Sequence, residues 1–170
     1  CHPRCSDPGP PADGRADLGN HLPCGPTRRR RRHHHPNTIN DYDGDGKANY
    51  AVFRPGDNTW YMARATGVPA QNYDAVLFGS TGDIPVPGDY DGDDKLDLGV
   101  YRPSTGTWYV LRSSTNYTTS FTQQWGGSTD VPVPGDYDDD GRMDLGVYRP
   151  STGTWYVLQS STNYTTFFTQ

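Results

Sequence analysis

Three nine-residue segments of this sequence place aspartates at alternate positions, and these side chains are the best candidates for chemistry. The segments are Asp41–Asn49, Asp89–Asp97 and Asp136–Asp144. Each has Asp at its first, third and fifth positions, Asp or Asn at its ninth, and glycine at its fourth or sixth. Alternate residues of a tight loop can turn toward one point, and the seventh residue can add its backbone carbonyl. Oxygen ligands in a flexible loop are what Ca²⁺ prefers.

Converging carboxylates need a counter-charge. Bringing three or four of them together without a cation costs on the order of several kcal/mol of like-charge repulsion. A metal-free Asp/Gly hairpin turn is the alternative for any single copy, but three aligned copies favour calcium, about three ions in all. An EF-hand is excluded, because that loop needs a glutamate at position 12 and helices on both sides. The twelfth residue here is valine each time, at Val52, Val100 and Val147.

A longer repeat surrounds each acidic segment. Trp60-Tyr61 returns as Trp108-Tyr109 and Trp155-Tyr156, and the acidic segments begin 48 and then 47 residues apart. Such internal repetition indicates a repeat architecture. The sequence therefore divides into an N-terminal region (1–36), repeat one (37–81), repeat two (82–128) and repeat three (129–170).

Each repeat is predicted to form four short β-strands, because Gly, Pro, Asn and Asp clusters punctuate short runs rich in β-branched and aromatic residues. In repeat two the predicted strands are 84–89, 96–101, 107–112 and 120–125. A four-stranded unit of this length is typical of a propeller blade. We predict an all-β fold of three tandem blade-like repeats of about 47–48 residues, as an open array or part of a larger propeller or fibre. Trp108 and Tyr109 point to opposite faces of their strand, so we expect one to pack between sheets and the other to face outward.

The N-terminal region differs in chemistry from the repeats. It holds Cys1, Cys5, Cys24, all five histidines and the run Arg28–Arg32. Three interpretations stay open: a Pro-rich arm that binds a polyanion, a metal site with no standard zinc spacing, or a linker, tag-like or misassigned stretch. We assign it no function.

Composition excludes several classes of protein. No apolar run approaches 18 residues, which excludes a membrane-spanning helix, and the chain has no glutamate and little Ala, Leu or Lys, which disfavours a helical fold. Residues 37–170 contain no His and no Cys, so His-assisted nucleophiles and thiol chemistry are missing there. We therefore expect no enzymatic activity and no nucleic-acid partner.

The acidic motif, followed by Leu-Gly-Val-Tyr-Arg-Pro and Thr-Trp-Tyr, resembles the FG-GAP/VCBS repeat family over residues 38–170. The resemblance implies integrin-like propeller blades whose hairpin loops bind calcium, with extracellular adhesion, ligand-binding or scaffold roles. By this resemblance the calcium ligands, with the seventh residue acting through its carbonyl, are Asp41, Asp43, Asp45, Lys47 and Asn49; Asp89, Asp91, Asp93, Lys95 and Asp97; and Asp136, Asp138, Asp140, Arg142 and Asp144.

Three residues depart from the family pattern. Asn49 replaces a charged ligand, so the first loop is expected to bind calcium more weakly. Asp94 replaces the glycine at position six and Asp139 the glycine at position four. These two positions are expected to be strained, because glycine was expected there.

Three repeats are fewer than the four to eight blades of a propeller. Repeat three is predicted to lack most of its fourth strand, because Gln170 aligns with Gln123. We therefore expect either a longer array or head-to-tail self-association in which another protomer supplies the missing strand. The function this favours is a calcium-binding structural subunit of an extracellular fibre or surface array. The alternatives are a carbohydrate- or protein-binding propeller segment, with glycans or cell-surface molecules as ligands, and an accessory module of a secreted hydrolase.

Three smaller features complete the sequence predictions. Asn116 and Asn163 begin Asn-Tyr-Thr sequons and are candidate glycosylation sites. The recurring tryptophans are expected to pack in the sheets, with sugar stacking as the alternative. The recurring arginines, Arg54, Arg102 and Arg149, are expected to bridge neighbouring blades by pairing with nearby aspartates.

Overall fold

A computed structural model describes residues 40–63 and 72–170 of the chain. These residues form three antiparallel sheets, which are not closed into a barrel. The first sheet has three described strands: β1 (Ala51–Arg54), β2 (Thr59–Ala63) and β3 (Tyr73–Leu77). The second has four: β4 (Ile84–Pro85), β5 (Leu98–Arg102), β6 (Thr107–Leu111) and β7 (Ser120–Gln124). The third has four: β8 (Val131–Pro132), β9 (Leu145–Arg149), β10 (Thr154–Leu158) and β11 (Phe167–Thr169). The all-β prediction is confirmed.

Each sheet is an up-and-down meander; the acidic segment precedes the second strand in the second and third sheets and precedes β1 in the first sheet. In the second sheet the order is β4-β5-β6-β7, and β5 and β6 pair from Leu98 opposite Leu111 to Arg102 opposite Thr107. The first strand is shorter than the predicted 84–89: only Ile84 and Pro85 pair with β5. Proline has no N–H to donate to a ladder, and beyond Pro85 the chain bonds to the neighbouring strand only through the Val86 N–H and at a bridge between Gly88 and Asp97.

Two hydrophobic cores lie between successive sheets. The first core joins the first and second sheets, with Trp60 and Met62 against Leu98 and Val100. Val100 is fully buried and Trp60 is 2% exposed. Sheets stacked face to face in this way bury the apolar side of each repeat against its neighbour, as repeat proteins do.

The second core repeats this arrangement one sheet further along. Tyr101 and Trp108 of the second sheet pack against Leu145 and Val147 of the third, and all four are at most 1% exposed. The second sheet is therefore covered on both faces. This corrects the expectation that one residue of the Trp108-Tyr109 pair faces outward, because Tyr109 packs against the first core.

The third sheet contains more of its fourth strand than the sequence predicts. Phe167–Thr169 pair with Tyr156–Leu158 of β10, whereas the corresponding strand of the second sheet has five residues. The N-terminal region and its three interpretations lie outside the described residues. Within the described ranges, no helix is long and apolar enough to cross a membrane.

One glycine in β5 is required by close approach of the backbone. A Cβ at Gly99 would lie 2.2 Å from the carbonyl oxygen of Val86, and Val86 donates its own N–H to the Gly99 carbonyl at 2.8 Å. We expect Gly99→Ala to lower the free energy of unfolding by about 1–3 kcal/mol through overpacking, measured by urea denaturation. Gly56→Ala is the control, since a Cβ there meets no atom within 4 Å. Equal stability of the two variants would contradict this prediction.

Candidate metal centres

The first aspartate of each acidic segment accepts backbone hydrogen bonds from its own loop. Asp89 accepts hydrogen bonds from the backbone N–H groups of Gly92 at 2.6 Å and Asp94 at 2.8 Å. Such side-chain-to-backbone bonds are how aspartate stabilises a turn. The same bonds recur in the other loops, to Asp41 from Gly44 and Gly46 and to Asp136 from Gly141.

The two aspartates that replace glycines adopt left-handed backbone conformations. Asp94 has φ of +68° and Asp139 has φ of +59°. The glycines at the same positions of other loops also have positive φ, for example +82° at Gly46. Aspartate tolerates this region better than most residues because its short side chain can form local hydrogen bonds. The loops therefore share the same backbone conformation at these positions.

Three carboxylates converge in each loop, and each set offers oxygens that all lie within 4.8 Å of one another. In the second and third loops the converging residues come from the first, third and ninth positions. In the first loop they come from the first, third and fifth positions. The three sets are Asp41, Asp43 and Asp45; Asp89, Asp91 and Asp97; and Asp136, Asp138 and Asp144.

The aspartate at the ninth position anchors its loop to the sheet. Asp97 is fully buried; one carboxylate oxygen accepts the backbone N–H of Tyr90 at 2.9 Å. The other accepts the N–H of Ser113 at 2.7 Å and its hydroxyl at 2.8 Å. Asp144 makes the corresponding bonds with the N–H groups of Tyr137 and Ser160.

The third-position aspartates of these two loops each carry an oxygen without a partner. Oδ1 of Asp91 and Oδ1 of Asp138 are buried and accept no hydrogen bond. Their Oδ2 atoms accept the hydroxyls of Ser114 and Ser161. A buried carboxylate oxygen without a partner is costly, and a cation among the three carboxylates would satisfy it. The residues present therefore fit a hard divalent cation.

The first loop differs because its ninth residue is an amide. Asn49 accepts the N–H of Tyr42 at 2.7 Å, as Asp97 does with Tyr90. Its side-chain NH₂, however, donates to Asp43 at 3.2 Å. An amide nitrogen carries no lone pair for a cation, so the first loop offers one fewer charged ligand at this position.

The fifth and seventh positions of the second and third loops have other partners. Asp93 accepts the N–H of Lys95 and the hydroxyl of Ser113. Asp140 is paired with the guanidinium of Arg142 at 2.9 Å. Neither Asp93 nor Asp140 belongs to the converging sets, although both carry resemblance-based ligand predictions.

Burial opposes ionisation of two carboxyl groups in the second loop. Burial is the main cause that raises the pKa of Asp89 to about 6 and that of Asp97 to about 7, with Asp91 adding like-charge repulsion at both. A carboxyl whose pKa is raised by folding binds protons more tightly in the folded state, so the fold loses stability as the pH rises from about 4, the usual aspartate pKa, to about 6 for Asp89 and about 7 for Asp97. A bound cation offsets this penalty.

Successive loops are hydrogen-bonded to one another. Leu96 in the second loop donates its N–H to the carbonyl of Asp41 at 2.8 Å, and Met143 in the third donates to Asp89 at 2.7 Å. The Tyr164 hydroxyl spans the same junction, 2.9 Å from the Met143 carbonyl and 3.4 Å from that of Tyr90. The three candidate centres therefore form one connected row along the stacked sheets.

Comparison of the chain with protein-family models, curated proteins and solved structures finds no match. The resemblance to FG-GAP/VCBS repeats thus stays a prediction from the motifs.

Sequence reasoning missed the serines that complete the second and third centres. Ser113–Thr115 and Ser160–Thr162 form short 3₁₀ helices whose first two hydroxyls reach the loop carboxylates. The signal was present in the sequence as the identical Ser-Ser-Thr-Asn-Tyr stretches of repeats two and three, but nothing local indicates that they lie beside the aspartates.

The two sequon asparagines cap these 3₁₀ helices. Asn116 and Asn163 are exposed and adopt left-handed conformations, with φ of 55° and 56°. Asparagine is among the residues that favour this conformation, so the geometry explains their type without a glycan. Glycosylation of either residue stays a prediction.

Proposed function

We propose that this protein is a calcium-binding structural repeat protein that works outside the cell and catalyses no reaction. The observation that carries this is the buried, unpartnered oxygen of Asp91, which recurs at Asp138, within a set of three converging carboxylates. A cation bound in each centre explains why the equivalent buried carboxylate oxygen has no hydrogen-bond partner in both repeats.

The donor set favours calcium over other cations. All converging ligands are carboxylates, which suit hard cations, whereas zinc prefers Cys and His. A loop rich in oxygen ligands suits Ca²⁺, which accepts six to eight oxygens in flexible geometry, whereas Mg²⁺ demands near-octahedral geometry and usually keeps several waters. Extracellular calcium concentrations also suit sites of modest affinity.

Calcium would act in this protein as a structural ion. The third-position aspartate links its loop to the 3₁₀ helix of the same repeat. In repeat two, Asp91 accepts a hydrogen bond from the Ser114 hydroxyl. The loop in turn bonds to its neighbours along the row. Neutralising the carboxylates would therefore strengthen both the hairpin of each repeat and the junction between repeats.

Calcium is expected to stabilise the full chain against unfolding. At about 100 times the dissociation constant, one site adds about 2.7 kcal/mol, measured as the difference in denaturation midpoint between buffers with Ca²⁺ and with EDTA. Isothermal titration calorimetry is expected to show two stronger sites and a weaker first-loop site. Asp91→Asn with Asp138→Asn should remove most of the stabilisation.

The matched control is Asp57→Asn, because Asp57 is 44% exposed in its side chain and lies outside the three carboxylate sets. This variant should keep the full response to calcium. A denaturation midpoint that is the same in calcium and in EDTA would overturn the proposed function.

A further inference from the structure

The outer faces of the first and third sheets carry most of the large hydrophobic side chains that are exposed among the described residues. The outer face of the first sheet, here called the leading face, carries Tyr50, Val52, Tyr73 and Leu77, which are 50–88% exposed. The outer face of the third sheet, here called the trailing face, carries Tyr137 and Trp155 at 42% and 39% exposure.

Both faces are halves of an interface that the molecule already makes twice. Val52 of the leading face corresponds to Val100 and Val147, which are at most 1% exposed in the two cores. Trp155 of the trailing face corresponds to Trp60 and Trp108, which are at most 2% exposed. The trailing face therefore carries the Trp side of the internal interface and the leading face carries its Val side, so the two faces are complementary.

The trailing face has the same side-chain geometry as its buried counterparts. The rings of Tyr148 and Trp155 lie 5.4 Å apart between centroids, against 5.3 Å for Tyr101 and Trp108 in the second core. The open face is therefore already arranged to receive a sheet like the first one, without rearrangement of its aromatic pair.

Charge adds a second, independent match at the row of loops. At the internal junctions, the seventh residue of one loop lies over the fourth residue of the preceding loop: a Cβ at Gly44 would meet Lys95, and one at Gly92 would meet Arg142. At an intermolecular junction of the same register, Lys47 would lie over Asp139. Lys47 is 82% exposed in its side chain, and Asp139 is the only one of the three fourth-position residues that carries a charge.

We infer that the leading face binds the trailing face of a second copy of this chain, head to tail, with Lys47 of one copy paired with Asp139 of the next. The Cβ of Asp139 blocks the path that the Lys95 side chain follows over Gly44, so Lys47 turns aside and its ammonium meets the carboxylate. The same register sets Ala48 N–H against the carbonyl of Asp136, as Leu96 meets Asp41. Because the two faces differ, association is heterologous and extends beyond two copies.

This inference rests on the proposed structural role and replaces strand donation with stacking of whole sheets. The test uses the full chain in calcium, with sedimentation velocity over a range of micromolar concentrations. Wild type is expected to form oligomers that grow with concentration. Val52→Lys blocks the leading face and Trp155→Lys the trailing face, so each variant alone should be capped at one copy, while a mixture of the two should give a one-to-one dimer.

The register is tested by reversal of the exposed pair. Lys47→Asp or Asp139→Lys alone should weaken association by about 2- to 5-fold, the range of an exposed ion pair. The double exchange should restore it. A chain that stays monomeric at all concentrations, or blocked variants that do not combine, would overturn the inference. Calcium titration of the same samples separates the two ideas, because a calcium-binding monomer overturns only the interface.

Discussion

Replacement of Trp108 by alanine is expected to lower the free energy of unfolding by about 3–5 kcal/mol, the range for a buried Trp or Phe. Trp108 is fully buried between the second and third sheets, its indole N–H donates to the carbonyl of Trp125 at 2.9 Å, and its ring packs on Tyr101. Truncation removes the largest fully buried side chain among the described residues and leaves a cavity between the sheets.

Trp155 provides a control inside the same chain. It occupies the same position in repeat three and has the same neighbours in sequence from Arg149 to Leu158 as Trp108 has from Arg102 to Leu111, but it is 39% exposed. Trp155→Ala is expected to cost no more than about 1–2 kcal/mol, because less apolar area returns to water. Urea denaturation at a protein concentration too low for association measures both. Equal losses would show that neither environment is as described.

Replacement of Arg102 by alanine is expected to destabilise the chain by about 2–3 kcal/mol. Arg102 holds the Asp83 carboxylate with two bonds, Nε to Oδ1 at 2.8 Å and Nη2 to Oδ2 at 2.9 Å, and stacks on Tyr109 at 4.4 Å. The Asp83 side chain is fully buried. Removal of the Arg102 guanidinium therefore leaves the Asp83 carboxylate buried without a counter-charge. The expected loss is below the 3–5 kcal/mol typical of a fully buried pair, because Arg102 is 27% exposed in its side chain.

The first repeat supplies the control for this pair. Arg54 corresponds to Arg102 but meets Asp57 at 3.4 Å, with both side chains 44–61% exposed. Arg54→Ala is expected to change stability by no more than about 1 kcal/mol, as exposed ion pairs do. Thermal or urea unfolding of the two variants in parallel decides the matter, and a larger loss at Arg54 than at Arg102 would refute the argument.

The amino-acid sequence alone determined the features that depend on neighbours along the chain. Alternating Asp and Gly residues predict tight acidic loops, and short runs bounded by Pro, Gly and Asn predict the strands. The offsets of 48 and 47 residues between acidic segments predict a repeated all-β unit. The recurring arginines do pair with nearby aspartates, Asp83 and Asp130 in the second and third repeats, but each pair lies within one repeat, which corrects the prediction that they bridge neighbouring blades.

Only the tertiary structure decided the features that depend on neighbours in space. Asp91 is close to Ser114, and Asp97 to Ser113, across a gap of 16 to 23 residues, which no local pattern records. Asp93 and Asp140 lie outside the converging carboxylates and accept the hydroxyls of Ser113 and Ser160, 20 residues away along the chain.

Trp108 and Trp155 show the limit most clearly. Each lies in the same ten-residue segment, 102–111 and 149–158, yet one side chain is fully buried and the other is 39% exposed. Local sequence sets the strand and the direction of each side chain, since these depend on backbone sterics and the two-residue period. Burial depends on whether another sheet lies opposite, and that is a property of the assembled repeats.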